Sequence, residues 1–172
     1  ENGSRNESTV YLRGFDIRSV PVFMDGIPVY VPYDGYVDLA RFTIYDLARI
    51  DIAKGFSSMT YGANTIGGAI NLIGMKPTQK LELSAKLGAM SGQGYETKIN
   101  LGSNLGKIYI QTGFSILQKQ FIPLSNHFDT LELETDHQRD NSYQKDIKGS
   151  FKIGYTPNAT DEYSINYQYS HG

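Results

Sequence analysis

Lys107-Ile108-Tyr109-Ile110-Gln111-Thr112-Gly113-Phe114-Ser115-Ile116 alternates without a break. In an extended chain, Ile108, Ile110, Thr112, Phe114 and Ile116 share one face, and Lys107, Tyr109, Gln111, Gly113 and Ser115 share the other. Four more segments after Pro77 obey the same rule. Leu81, Leu83, Ala85, Leu87 and Ala89 oppose Glu82, Ser84, Lys86 and Gly88. Tyr95, Thr97, Ile99 and Leu101 oppose Glu96, Lys98, Asn100 and Gly102. Ile147, Phe151, Ile153 and Tyr155 oppose Asp146, Lys148, Ser150, Lys152 and Gly154. Tyr163, Ile165, Tyr167 and Tyr169 oppose Ser164, Asn166, Gln168 and Ser170. Each segment runs for roughly ten residues, about twice the usual soluble strand. Successive long segments of period two are the pattern of a transmembrane β-barrel wall, with the apolar face toward lipid and the polar face toward a wet lumen. A soluble antiparallel sandwich also alternates and remains the competing reading.

The connections alternate in length. The one near Gly92 is short, Asn104-Leu105-Gly106 is a tight turn, Gln120 to Asn141 is long, and Thr156 to Asp161 is short again. Outer-membrane barrels have short periplasmic turns and longer extracellular loops. The third segment is therefore expected to run outward and the fourth back, so that the first 77 residues enter the wall from the periplasmic side.

Those 77 residues have a different grammar, of short strands and tight turns. Strands are expected over Thr9 to Leu12, ending at Arg13-Gly14, and over Val20 to Met24, ending at the turn signal Asp25-Gly26. Extended structure resumes over Ile27 to Val31, then Pro32 to Tyr36 forms a loop. Asp38 to Ala48 is expected to hold one or two helical turns, and Arg49 to Lys54 a strand with Ile50 and Ile52 inward. Ser57 or Ser58 can cap a one-turn helix through Tyr61, with Gly62 closing it. Gly67-Gly68 opens a last strand through Ile73. Positive φ is expected at Gly14, Gly26, Gly55 and Gly62.

Composition narrows the function. With 172 residues, 40% hydrophobic and 12% aromatic, the chain is long and apolar enough to fold, yet no run approaches the 18 or so apolar residues of a membrane helix. A formal net charge of -2 offers no basic surface for nucleic acid. There is no cysteine, so disulfides and thiolate metal sites are excluded. The glycine spacing of Gly62 to Gly68 lacks the Lys and Ser/Thr of a phosphate loop, and no catalytic serine elbow or zinc-binding helix occurs. His127, His137 and His171 have no ligand partner at metal spacing. Asp129, Glu132, Glu134, Asp136 and Asp140 in the long loop read better as a solvated surface than as a cation site.

The first half resembles the C-terminal part of the plug of a TonB-dependent outer-membrane receptor. The resemblance is carried by Leu12-Arg13-Gly14-Phe15, by Val22-Phe23-Met24-Asp25-Gly26 with Ile27-Pro28-Val29, and by Arg49-Ile50-Asp51-Ile52-Ala53-Lys54-Gly55. Ser57-Ser58-Met59-Thr60-Tyr61-Gly62 and Ile66-Gly67-Gly68-Ala69-Ile70-Asn71-Leu72-Ile73 complete it, and Lys76-Pro77 stands where the family leaves the plug. Order and spacing over about 65 residues make the set specific, although each piece alone is weak. The resemblance implies a mainly β fold. A plug domain with a small mixed sheet occupies residues 1–77, and about five antiparallel strands of an incomplete transmembrane barrel occupy residues 78–172. The earlier half of the plug and the TonB box are expected to lie outside this sequence, as are the remaining strands of a barrel of about 22.

The same resemblance implies a transporter in the outer membrane of a Gram-negative bacterium, not an enzyme, with no cofactor. Its partners would be TonB, outer-membrane lipid and a scarce nutrient, an iron–siderophore complex first or a cobalamin-like ligand. The loop after Asp25-Gly26 would reach the ligand vestibule with Tyr30, Tyr33, Asp34 and Tyr36. Arg13 and Arg49 would leave the plug core for the barrel wall, as arginines at these motif positions do in the family. Gly14, Asp25, Gly26, Lys54, Gly55, Tyr61, Gly62, Gly67, Gly68 and Asn71 are the remaining plug-motif positions. The alternatives are a soluble or surface β-sandwich binding module and a porin without energy coupling.

Overall fold

A computed structural model describes residues 8–29, 33, 35–55, 62, 65–128 and 137–172. The expected one-turn helix over Ser57 to Tyr61 lies outside the described residues, as do Tyr30, Asp34 and the acidic stretch 129–136. The chain divides into two units, Glu1–Lys76 and Pro77–Gly172.

In the first unit, β1 (Val22–Met24), β2 (Ile27–Pro28), β3 (Leu47–Lys54) and β4 (Gly68–Gly74) form a mixed sheet in the order β2-β1-β4-β3. β1 and β2 are an antiparallel hairpin closed by Asp25 and Gly26, whose φ values of 50° and 83° are those of a primed turn matched to strand twist. β1 runs parallel to β4, and β3 antiparallel to it. Two 3-10 helices, Ile17–Ser19 and Leu39–Arg41, are capped by the carboxylates of Asp16 and Asp38. Ile17, Val20, Val22, Met24, Val37, Ile70 and Leu72 make one apolar core, flanked by Leu12, Val29, Tyr36 and Phe42.

Three expectations for this unit change. Thr9 to Leu12 is not a strand. Arg13 (φ 54°) and Gly14 (φ 83°) turn the chain back at once, so Leu12 pairs only with Phe15 before the 3-10 helix begins. β-branched composition yields a ladder only where a neighbour supplies partners. The strand after Asp25-Gly26 is just two residues long, continued by a single bond from Val29 N–H to Val22 O at 3.0 Å. Ile50 and Ile52 stand opposite Leu72 and Ile70, on the core face, yet remain 51% and 50% exposed. β3 is an edge strand, and the covering layer of side chains is centred on β1 and β4.

The second unit is an antiparallel meander. β5 (Glu82–Met90), β6 (Gly94–Asn104), β7 (Ile108–Lys119), β10 (Gln144–Tyr155) and β11 (Tyr163–His171) lie in the order β11-β10-β7-β6-β5. The five alternating segments are these five strands. The sheet is open, with β5 and β11 at its edges. The long connection carries an addition the sequence did not signal, a two-residue ladder of β8 (Ile122–Pro123) on β9 (Gln138–Arg139).

The connections sort to two ends. Gly92 O accepts from Gln120 N–H at 3.0 Å, so the short turn after β5 and the long connection share one end. At the other end, Asn104 N–H reaches Gln79 O and Thr156 N–H reaches Lys107 O, both at 2.8 Å. The chain therefore enters this sheet at the end that bears the two other short turns. Its entry is tightly held: Glu82 Oε1 accepts from Thr78 N–H, Thr78 Oγ1 and Gln79 N–H at 2.7, 3.0 and 2.8 Å, and Asn104 Nδ2 donates to Pro77 O at 2.9 Å.

Candidate functional site

The hairpin turn is built into the first unit rather than merely exposed on it. Asp25 Oδ1 accepts from Gly74 N–H at 2.9 Å, and Asn71 Oδ1 accepts from Gly26 N–H at 3.0 Å. Asp25 N–H also donates to Leu72 O at 2.9 Å. Three motif residues, Asp25, Gly26 and Asn71, thus tie the turn to the end of β4. The chain beyond β2 leaves from that fixed point.

The loop that follows is anchored at both ends. Val29 and Tyr36 pack against the apolar core. Between them Tyr33 is 97% exposed. Arg18, which the sequence did not single out, lies over Tyr36 with its guanidinium carbon 5.4 Å from the ring centroid. Arg18 Nε and Nη2 donate to Asp16 Oδ2 at 2.9 and 2.6 Å. That charge-assisted fork holds the Asp16 carboxyl below its ordinary range. The Asp-x-Arg spacing hints at the pair, but nothing in sequence links Arg18 to a ring eighteen residues on.

The two motif arginines are not neighbours. Arg49 opens β3 and pairs with Asp51 on the face away from the core, at 3.1 Å. Arg13 sits in its own turn near the far end of β3, its Nη1 3.7 Å from where a Cβ on Gly55 would lie. Lys54 is exposed at the last position of β3.

Of the motif glycines, Gly14, Gly26, Gly55 and Gly62 all have the expected positive φ. Gly67 and Gly68 are close approaches. A Cβ on Gly68, at φ +131°, would lie 2.2 Å from Ala53 O, and one on Gly67 would lie 2.5 Å from Phe15 Cβ. Tyr61 lies outside the described residues.

The second unit inverts the usual arrangement of faces. On its three inner strands the polar side is the closed one: Tyr109, Asn100, Gln111 and Ser150 are buried, Tyr109 to 1% exposure. Ile99, Leu101, Ile108, Phe114, Phe151 and Ile153 on the other side are exposed. Tyr109 covers Gly154, where a Cβ would lie 2.1 Å from the ring, and its hydroxyl is hydrogen-bonded to Glu162. Lys98 and Glu96 pair at 2.5 Å on the same closed side. Water-soluble sheets bury the opposite face. Among the described residues no group of three or more His, Asp or Glu gathers at a metal-binding distance.

Residues 1–69 match the TonB-dependent Receptor Plug Domain family. The first 69 residues are of the TonB-dependent receptor plug type. The chain's fold is shared with solved receptors that it matches over nearly its whole length. The siderophore receptor PiuA from Acinetobacter baumannii is 18% identical, with a TM-score of 0.69, over 99% of this chain and 21% of that one. The pyoverdine outer membrane receptor FpvA from Pseudomonas aeruginosa PAO1 is 21% identical, with a TM-score of 0.64, over 94% of this chain and 22% of that one. The copper transporter OprC is 12% identical, with a TM-score of 0.72, over 94% and 25%. The chain therefore spans about a fifth to a quarter of the structures it matches. Its small mixed sheet is plug-like, and its open meander corresponds to an incomplete barrel.

Proposed function

We propose that this chain is part of an outer-membrane transporter of a Gram-negative bacterium, which takes up a scarce nutrient with energy delivered through TonB. Residues 1–77 act as plug and residues 78–172 as the first strands of the wall. The reading rests on one observation above the rest, the inverted burial of the wall sheet. β6, β7 and β10 are 11, 12 and 12 residues long, enough to cross a bilayer, for which a tilted strand needs about 9–11. Their exposed apolar side suits lipid and their closed polar side suits a lumen. A soluble sandwich would cover the apolar side with a second sheet. A plain porin has no use for the plug match.

The ligand is an iron–siderophore complex in this reading, with a cobalamin-like ligand second. Support comes from the pyoverdine and siderophore receptors among the similar folds, while the copper transporter marks how far the fold extends beyond iron. Tyr30, Tyr33, Asp34 and Tyr36 form the ligand-facing loop, since tyrosine offers rigid apolar area with a hydroxyl handle for a bulky polar chelate. Arg13 and Arg49 meet the wall, where forked arginines suit partly desolvated carboxylates better than lysines do. No residue has a catalytic role in this reading. Uptake of ferripyoverdine, a ferric catecholate and cobalamin by cells with and without the receptor tests it. Receptor-dependent uptake that stops when TonB is deleted is expected. Receptor-dependent uptake indifferent to TonB would establish the porin reading instead.

A further inference from the structure

We propose that Arg18 is the positioning residue of the ligand-facing loop: braced by Asp16 and laid over Tyr36, it fixes the loop's far end at Gly35 and Tyr36, close in sequence to the exposed Tyr33. The proposal rests on the reading of this loop as a ligand contact.

Tyr33 and Tyr36 are not equivalent. Tyr36 packs on the core and lies beneath a guanidinium, so most of its ring is committed. Tyr33, at 97% exposure, has its ring and hydroxyl open. An exposed ring on an unbraced loop would sample many orientations and lose that freedom on binding. Bracing the loop beforehand lowers this cost and raises affinity without adding a contact.

The brace is specific to arginine. Two N–H donors, Nε and Nη2, converge on one carboxylate oxygen, at 2.9 and 2.6 Å, which orients the guanidinium plane. Asp16 is itself held, because Oδ1 accepts the Arg18 N–H as cap of the 3-10 helix at 3.2 Å. The aliphatic stem is used too. A Cβ on Gly35 would lie 3.6 Å from Arg18 Cγ, and Gly35 has φ +70°, so the backbone just before Tyr36 runs close along the arginine. Lysine keeps the charge but has neither the fork nor the flat surface.

A nitroxide on Tyr33→Cys in the intact, bilayer-reconstituted receptor tests the brace, with a second label on Leu105→Cys in a wall turn as reference. Arg18→Ala is expected to speed the Tyr33 label by about twofold and leave the Leu105 label unchanged. Arg18→Lys should fall between. An unchanged Tyr33 label in Arg18→Ala, or equal loosening of both labels, would overturn the proposal. Affinities for ferripyoverdine, a ferric catecholate and Cu(II) address the underlying reading separately. A loosened Tyr33 label with no change in any of these affinities would uphold the brace and remove the loop from the binding site.

Discussion

In the plug, the buried side chains are mostly apolar, Ile17, Val20, Val22, Met24, Val37, Ile70 and Leu72 among them, with Thr43, Asp46 and Thr65 as polar exceptions. In the wall they are Tyr109, Asn100, Gln111 and Ser150, while Leu83 and Leu87 stand 69% and 79% exposed. One chain thus carries two opposite solutions to the hydrophobic effect. The plug follows the rule for a domain that folds away from water. The wall makes sense only if its exposed side meets something as apolar as itself. Residue identity alone does not set a strand's inward face; the surrounding medium does.

The largest effect is expected where the two regions differ in packing. Gly68→Ala in the plug drives a Cβ into Ala53 O at a φ that side chains rarely adopt, costing about 3–5 kcal/mol from strain and overpacking together. Gly149→Ala in β10, where a Cβ meets only Gly113 O at 3.9 Å, should cost less than about 0.5 kcal/mol. Denaturant unfolding of the plug and heat-modifiability of the barrel in the intact receptor report the two. Similar costs would erase the contrast.

Next comes a comparison at matched exposure. Ile50 in β3 is 51% exposed and Ile99 in β6 is 40% exposed. Ile99→Arg should destabilise by roughly 2–4 kcal/mol if its site lies at mid-bilayer, and Leu83→Arg likewise. Ile50→Arg, half exposed on an edge strand, should stay within about 0.5 kcal/mol. A large penalty at Ile50 would show that β3 is pressed against the wall in the intact receptor.

Much of this contrast was legible beforehand. Strict period two over Ile108 to Ile116 fixes the faces of β7, and its repetition fixes the meander, because pairing register follows from alternation and short turns. Asp25-Gly26 announces its hairpin by residue type alone. Thr9 to Leu12 misled because strand propensity is silent about whether a partner exists. Alternation puts Ile50 and Ile52 on the core face, but edge position, a property of the whole sheet, decides their exposure. Arg18 escaped for a related reason: its role depends on Asp16 and on Tyr36 meeting it in space. The ladder of β8 on β9 has only two residues a side, too few to leave a period.

A smaller effect sharpens the plug's turn. Asn71→Ala removes the acceptor of Gly26 N–H and should cost about 1 kcal/mol. Amide exchange at Gly26 should quicken while Tyr109 and its wall neighbours stay protected. Uniform quickening would mean that the turn is not locally held.

The smallest effect is electrostatic. Asp16 has its pKa lowered by Arg18, so its contribution is present above the unfolded carboxylate pKa of about 3.9 and fades as pH falls through the lower folded value. Both groups are solvent-screened, with Tyr11 and Tyr36 nearby, so the effect is small. Plug unfolding followed from pH 5 to pH 2 should flatten slightly in Asp16→Asn. An identical profile would place the pair outside the plug's acid response.

Accessibility scanning along β7 tests the inverted wall most directly. Single nitroxides are placed at each position from Ile108 to Lys119 of the intact receptor in a bilayer. Their collision rates are then measured with oxygen, which concentrates in lipid, and with a water-soluble nickel chelate. The account predicts alternation of period two, with oxygen favoured at Ile108, Ile110, Thr112, Phe114 and Ile116 and oxygen contact low at Tyr109, Gln111 and Gly113. Alternation of the opposite phase, or nickel access equal on both faces, would contradict it.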